Sequence, residues 1–439
     1  MAGEGGYRRR RPEDTVLYEA VRRGWPAVQG SMPKRLREEV RRYQECGQLR
    51  YGFVEVRCEA CRALTLVAFS CKGRGLCPSC ATRRAIETGV HVEATLPFVA
   101  HRQWTLSLPR TLRLAVVKQP SLLKLVETTL VRAVWRWQRT SRGRGQRAGL
   151  HGGAVAMVQY FGSRLQLTPH LHVLVPEAAW DEEGRPVEVA APDDAAVEAV
   201  LKRTVRQLAK RWPEGAPPWA EDEYEALQAE AVQERLSLEV DAAPHSSQRL
   251  VAVVQGFSLH AGTWVHGNDR QGLERLARYG ARGPVAESRL TRREDGRYEY
   301  APKGDSPPLV LTAEVLVKRL LALLPPPRKH LTTFHGVYGP ASKLRSRVVR
   351  APEVATTTPT EPSASPAAPQ KRTRLDWATL QARTFGEDVW ACPCGGRRTV
   401  LAVVTSRRTA EEVLQNLGML TPRRALPQSQ APPQLALAL

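Results

Sequence analysis

The plainest chemistry in this 439-residue chain lies in two histidines one residue apart, in Leu167-Thr168-Pro169-His170-Leu171-His172-Val173-Leu174-Val175. The Val-Leu-Val that follows them marks a strand opening after Pro169. Side chains alternate along a strand, so His170 and His172 share a face while Leu171 points away. Two imidazoles about 7 Å apart on a rigid strand can converge on one divalent cation. That pair does not name a reaction, because hydrolases, nucleases and storage proteins all use one.

A second constellation is built of thiols. Cys58-Glu-Ala-Cys61 and Cys77-Pro-Ser-Cys80 are separated by fifteen residues. The spacing predicts that these four thiolates hold one tetrahedral zinc ion, which with a closed shell is structural. Cys71 is a fifth thiol able to displace one member of the set, and His91 is a candidate for a second site. Cys392-Pro393-Cys394 reads as a degenerate half knuckle, its thiols closer in sequence than such turns usually place them.

A nucleophile must be sought elsewhere, since the chain has no glycine-rich phosphate loop and no Gly-x-Ser-x-Gly elbow. The informative helix runs from Asp269 to Arg282, with Asn268-Asp269 as its N-cap. At 100° per residue, Leu273, Leu276, Ala277 and Gly280 form one apolar face. Tyr279 falls at the flank of that face, bordering the side of Arg275, Arg278 and Arg282. A phenol at such a seam can stay accessible and meet a phosphate. Its rivals are Tyr338, in a basic stretch, and Tyr298 and Tyr300, in a short strand.

Other elements must position these groups. Two helices flanking Pro33 are expected over 14–50, a half-buried strand over 102–108 and an amphipathic helix over 121–138. Strands 154–161 and 165–175 are expected to meet at a two-residue turn, Gly162-Ser163. In that register Gln159 pairs with Gln166, about four residues or 13 Å from His170. Gln159 could therefore be a third metal ligand only with a longer turn, and His151 would be its rival. Helical character over 192–235 is followed by strands at 250–254 and 257–265. Beyond the Asp269 helix come a strand at 308–312, a helix at 313–324 and a strand at 330–334. The fold class expected is α+β with a largely antiparallel sheet flanked by helices. Four segments follow: residues 1–95 with the thiols, 96–350 with the histidines, a Pro/Ala/Thr-rich linker over 351–372, and 373–439 with a short helix, the Cys392/Cys394 turn and a disordered tail.

The formal net charge is +21 and the pI about 10.1, with basic stretches along the whole length. A field of this sign favours a polyanionic partner, nucleic acid above all. No apolar run approaches the roughly 20 residues of a membrane span, and the N-terminus lacks the apolar core of a signal peptide. The expectation is a cytoplasmic protein whose cysteines are thiols or metal ligands.

Together these blocks resemble the rolling-circle transposases of the insertion sequence ninety-one family, which are HUH endonucleases. The resemblance is carried by residues 69–80, by Arg102-Gln-Trp-Thr-Leu-Ser-Leu-Pro109, by Gln159 through Val175, and by Gly256 through Arg347, in order. It implies a zinc-ribbon-like DNA-recognition module followed by an HUH endonuclease domain. It implies that His170 and His172 hold Mg²⁺ or Mn²⁺, and the close match around Gln159 favours that residue as third ligand. It implies that Tyr279 attacks the scissile phosphorus, with Arg275, Arg278 and Arg282 as phosphate contacts. The product is a 5′-phosphotyrosine and a free 3′-OH, which preserves bond energy for strand transfer. Some relatives carry two tyrosines four residues apart; here positions 275 and 283 are Arg and Gly, so a single-tyrosine enzyme is expected. Its partners would be the single-stranded ends of its own mobile element and target DNA. The alternatives are a non-catalytic zinc-dependent DNA-binding protein and a metal-dependent hydrolase.

Overall fold

The computed structural model describes residues 7, 9–141, 149–213, 250–304, 306–349 and 375–419. The expected linker over 351–372, the second half of the 192–235 helical stretch and the tail after 424 lie outside the described residues.

The chain begins with α1 (Val16–Val28) and α2 (Lys34–Glu45), followed by the hairpin β1 (Phe53–Cys58) and β2 (Leu64–Ala68) and by α3 (Pro78–Thr95). Thr15 caps α1 by accepting from the Tyr18 N–H at 3.2 Å, which satisfies one of the donors that a helix start leaves open. Next come β3 (His101–Ser107), α4 (Arg110–Lys118) and α5 (Pro120–Thr140), then β4 (Gly153–Phe161) and β5 (Leu167–Pro176). The small pair β6 (Ala178–Trp180) and β7 (Pro186–Glu188) leads to α6 (Asp194–Arg211), β8 (Val251–Val254), β9 (Phe257–Val265) and α7 (Arg270–Ala281). A three-stranded meander, β10 (Leu290–Arg292), β11 (Tyr298–Tyr300) and β12 (Leu309–Leu311), precedes α8 (Ala313–Ala322), β13 (Thr332–Gly336) and α9 (Arg345–Val348). The described chain ends with α10 (Trp377–Phe385), β14 (Arg398–Val404) and α11 (Arg407–Asn416).

The centre is a six-stranded sheet in the order β13-β4-β5-β3-β9-β8, with every neighbouring pair antiparallel. Strand alternation sorts its two faces. Ala154, Ala156, Val158, Leu171, Val173 and Val175 belong to a core completed by α5 and α6. Val155, Met157 and Leu174 belong to a second core with Leu273 and Ala277 of α7 and Val92 of α3. His170, His172 and Gln159 are in phase with this second set, so they face α7.

Two glycines let the elements on that face approach closely. A Cβ on Gly280 would stand 2.7 Å from Met157 Sδ of β4, and one on Gly89 would stand 3.0 Å from the Glu274 carbonyl of α7. The turn from β4 to β5 is longer than Gly162-Ser163 suggests. It occupies residues 162–166, closed by Gly162 N–H donating to Gln166 O at 3.0 Å, with Leu165 at φ 55° and fully buried. Burying that leucine offsets the strain of a left-handed backbone.

The N-terminal helices are not a separate body. Leu17, Val21, Leu36 and Val40 share a core with Leu316 and Leu320 of α8, and a Cβ on Gly24 would clash with the Ala313 carbonyl at 2.4 Å. The C-terminal segment returns as well: β14 pairs with β1 to give a second sheet, β14-β1-β2. No helix among the described residues is long and apolar enough to cross a membrane.

Candidate active site and thiolate centres

The longer turn sets the register that matters. Gln159 stands directly opposite His170, and Met157 opposite His172, so Gln159 is a cross-strand neighbour of the histidine pair and not 13 Å away. His151 instead bridges to Trp180 beyond the other end of β4 and is exposed, which removes it as the rival ligand.

The two imidazoles lie edge to face with ring centroids 4.9 Å apart. His170 Nδ1 is 2.8 Å from the Thr168 carbonyl; a carbonyl only accepts, so Nδ1 carries the proton and Nε2 keeps its lone pair. His172 Nδ1 lies 3.3 Å from Thr105 Oγ1, which in turn accepts from Gln103 Nε2 at 3.2 Å. His172 Nε2 and Gln159 Oε1 are buried without a hydrogen-bond partner among the described residues. Burial, His170 and Arg282 push the His172 pKa down to about 3, and burial also lowers that of His170. Both rings are therefore neutral at physiological pH, the form that ligates metals. The Nε2 lone pair of His170, the unpartnered Nε2 of His172 and the orphaned Gln159 amide oxygen on one sheet face suit a hard-to-borderline divalent cation. Gln103 and Thr105, which orient His172, carry no sequence signal beyond their place on β3; outer partners of this kind fix the tautomer of a ligating histidine.

Helix α7 brings Tyr279 to the pair. Asp269 caps it, accepting from the Gly272 N–H at 2.7 Å, and Gly272, Leu273, Ala277 and Gly280 are its buried positions. Gln159 Nε2 donates to the Tyr279 carbonyl at 2.6 Å and to the Gly280 carbonyl at 3.1 Å, pinning the last turn to β4. The Tyr279 ring stands perpendicular to His172 with centroids 5.6 Å apart, and the residue is 40% exposed.

Of the three arginines expected around it, Arg282 is the one stacked on the ring, its Cζ 4.7 Å from the centroid. Its Nε is buried and unpartnered among the described residues. Arg275 reaches Asp269 at 3.9 Å and Arg278 reaches Glu274 at 3.9 Å, Arg278 lying along Gly89 of α3. A second cation comes from outside the helix, Lys303 Nζ at 5.8 Å from the ring. The rival tyrosines are core residues. Tyr338 is fully buried against Trp180 with its hydroxyl 3.3 Å from His101 Nε2. Tyr298 and Tyr300 are 0% and 3% exposed. Beside Gln159 and Arg282 opens a cavity of about 590 Å³ whose rim includes Arg74, Arg84, Arg328 and Lys329.

The thiols group differently from the sequence expectation. Cys58 and Cys61 do not join Cys77 and Cys80; two four-thiol clusters form instead, Cys46/Cys71/Cys77/Cys80 and Cys58/Cys61/Cys392/Cys394. The reason is the length of the β1–β2 hairpin. Cys58 and Cys61 sit at its tip, while Cys71 and the start of α3 lie past its open end, one strand length or about 17 Å away. Cys77 and Cys80 begin α3, and Cys46 ends α2. Their sulfurs lie 3.7 Å (Cys46–Cys77), 3.9 Å (Cys46–Cys80) and 3.4 Å (Cys71–Cys80) apart. Cys71, expected only as a substitute, is a full member, and Cys46 was not foreseen. The Cys392/Cys394 turn is no degenerate knuckle but half of the second cluster. His91 lies against the Phe334 ring and belongs to neither.

Two family models match the chain. One described as "Putative transposase" covers residues 153–346, and one described as a transposase zinc-binding domain covers residues 19–108. No curated protein and no solved structure matches it. The first thiol cluster lies wholly within the zinc-binding match; the second has only Cys58 and Cys61 there.

Proposed function

The chain belongs to the transposases of the insertion sequence ninety-one type, with their zinc-binding domain on its N-terminal side, and from that premise we propose that it cuts single-stranded DNA by transesterification at Tyr279. The observation that carries this reading is the exposed phenol standing 5.6 Å from His172, while the other candidate tyrosines are buried.

In this reading Tyr279 Oη attacks a backbone phosphorus at an end of the mobile element. The bond from tyrosine oxygen to phosphorus forms as the bond to the 3′ oxygen breaks. The phenol proton leaves to solvent and the departing 3′ oxygen takes one up. One phosphodiester replaces another, so the energy of the cut is kept for rejoining to target DNA. His170 and His172, with Gln159 as third ligand, would hold Mg²⁺ or Mn²⁺, which supplies Lewis-acid charge to a phosphate oxygen. Arg282 and Lys303 place positive charge where it builds on the phenol and phosphate oxygens in the transition state. The Gln159 hydrogen bonds to the last turn of α7 keep the phenol at one distance from the imidazoles, the positioning such a reaction needs. The cleft rimmed by Arg74, Arg84, Arg328 and Lys329 offers the strand a path through phosphate contacts.

Single-stranded oligonucleotides tiled across the DNA flanking the coding sequence, incubated with the full chain and Mn²⁺, test the reading. Nicking is expected at one or a few positions, and His170→Ala should lose it with only partial rescue by added Mn²⁺. Nicking by His170→Ala equal to that of the parent chain would remove the metal pair from the mechanism.

A further inference from the structure

The second thiol cluster is independent of the cleavage chemistry and lies partly outside both family matches. Cys58 and Cys61 frame the turn after β1, where Arg62 N–H donates to Cys58 O at 3.0 Å. Cys392 and Cys394 lie in a turn before β14, where Gly395 N–H donates to Cys392 O at 2.9 Å and Cys392 N–H to Gly396 O at 3.0 Å. The β1–β14 ladder, with Cys58 opposite Arg398, sets the two turns side by side.

Sulfur positions then discriminate between metal and disulfide. Cys58 and Cys394 are 3.5 Å apart and Cys61 and Cys392 are 3.7 Å apart. Four sulfurs each 2.3 Å from a tetrahedral zinc would be separated by about 3.8 Å, whereas a disulfide needs about 2.05 Å. A Cβ on Gly396 would come within 2.8 Å of Cys58 Sγ and 3.3 Å of Cys394 Sγ, so a glycine keeps the thiol space clear. Pairing each thiol of one turn with a thiol of the other also explains how Cys-Pro-Cys serves without the usual two-residue gap.

We propose that Cys58, Cys61, Cys392 and Cys394 hold a second zinc ion that clasps the C-terminal segment onto the N-terminal sheet. Binding releases the thiol protons to solvent and closes a chain loop between residues 336 and 331 positions apart. The clasped segment reaches the active site's supports, since Arg383 of α10 lies 3.5 Å from Glu274 of α7. The two centres differ in access. Cys46, Cys71, Cys77 and Cys80 are all buried, while Cys61 and Cys394 are exposed, so the clasp is the centre open to chelators and oxidants.

Metal analysis of the full chain should find two zinc ions, and one in the Cys392→Ser/Cys394→Ser double variant. The parent chain gives a second measurement that needs no variant: alkylation with iodoacetamide, mapped by mass spectrometry. All eight thiols should be protected in the zinc-loaded chain. Under a chelator, Cys58, Cys61, Cys392 and Cys394 should become alkylated together, before the other four. Alkylation of Cys392 and Cys394 in the loaded chain while Cys58 and Cys61 stay protected would overturn the clasp. So would one zinc per full chain, iron in place of the second zinc, or two zinc ions retained by the double variant.

Discussion

In the proposed reaction Gln159 would carry two duties with one amide. Its Nε2 holds the carbonyls of Tyr279 and Gly280, and its Oε1, buried and unpartnered among the described residues, points to a ligand. Gln159→Ala should therefore raise the Mn²⁺ concentration for half-maximal nicking by about tenfold or more and also lower the maximal rate, because an unpinned turn misplaces the phenol. Unchanged Mn²⁺ dependence would exclude the amide as a ligand. A second residue-scale prediction concerns His101, fully buried, with its pKa pushed down to about 3 chiefly by burial. Below its ordinary value of 6.5 the unfolded chain takes up a proton that the folded chain refuses. Stability should thus fall as pH drops from about 6.5 toward 3, by up to about 1.4 kcal/mol per pH unit for this group. Urea unfolding across that range should show a flatter decline in His101→Gln; identical slopes for the two proteins would contradict the assignment.

At the scale of elements, the proposed active site depends on how closely α7 lies on β4. A Cβ at Gly280 would meet Met157 at 2.7 Å, so Gly280→Val should cost about 1–3 kcal/mol of stability and depress nicking more than DNA binding. Equal loss of both, or of neither, would detach the helix position from the chemistry. This helix was legible in the sequence: Asp269 is the cap, and Leu273, Ala277 and Gly280 are the buried positions. So was the strand of the two histidines. The turn between β4 and β5 was not, because Gly162-Ser163 mimics a two-residue hairpin, while the actual turn is held open by a buried leucine at φ 55°. Nothing local in the sequence marks a leucine for that conformation. Arg282 could be placed beside Tyr279 by helical spacing, but Lys303 arrives from a distant segment that no periodicity connects to it.

Across the whole molecule, the sequence divides more neatly than the structure does. The N-terminal helices share a core with α8, and the C-terminal strand β14 completes the second sheet, β14-β1-β2. The thiol grouping follows from that return. Local spacing pairs Cys58/Cys61 with Cys77/Cys80, and only the tertiary path through β14 reveals Cys392 and Cys394 as partners. The +21 charge read correctly toward a polyanion in a chain of the transposase family, though it could not say where the strand runs. Everything proposed for the reaction converges on one atom, the Tyr279 hydroxyl. The most direct measurement traps the full chain on single-stranded DNA from the ends of its element with Mn²⁺, digests the complex and maps the DNA-linked peptide. A nucleotide adduct on Tyr279 is expected, with its complete loss in Tyr279→Phe while DNA binding is retained. An adduct on Tyr338 or any other residue, or undiminished cleavage by Tyr279→Phe, would contradict it.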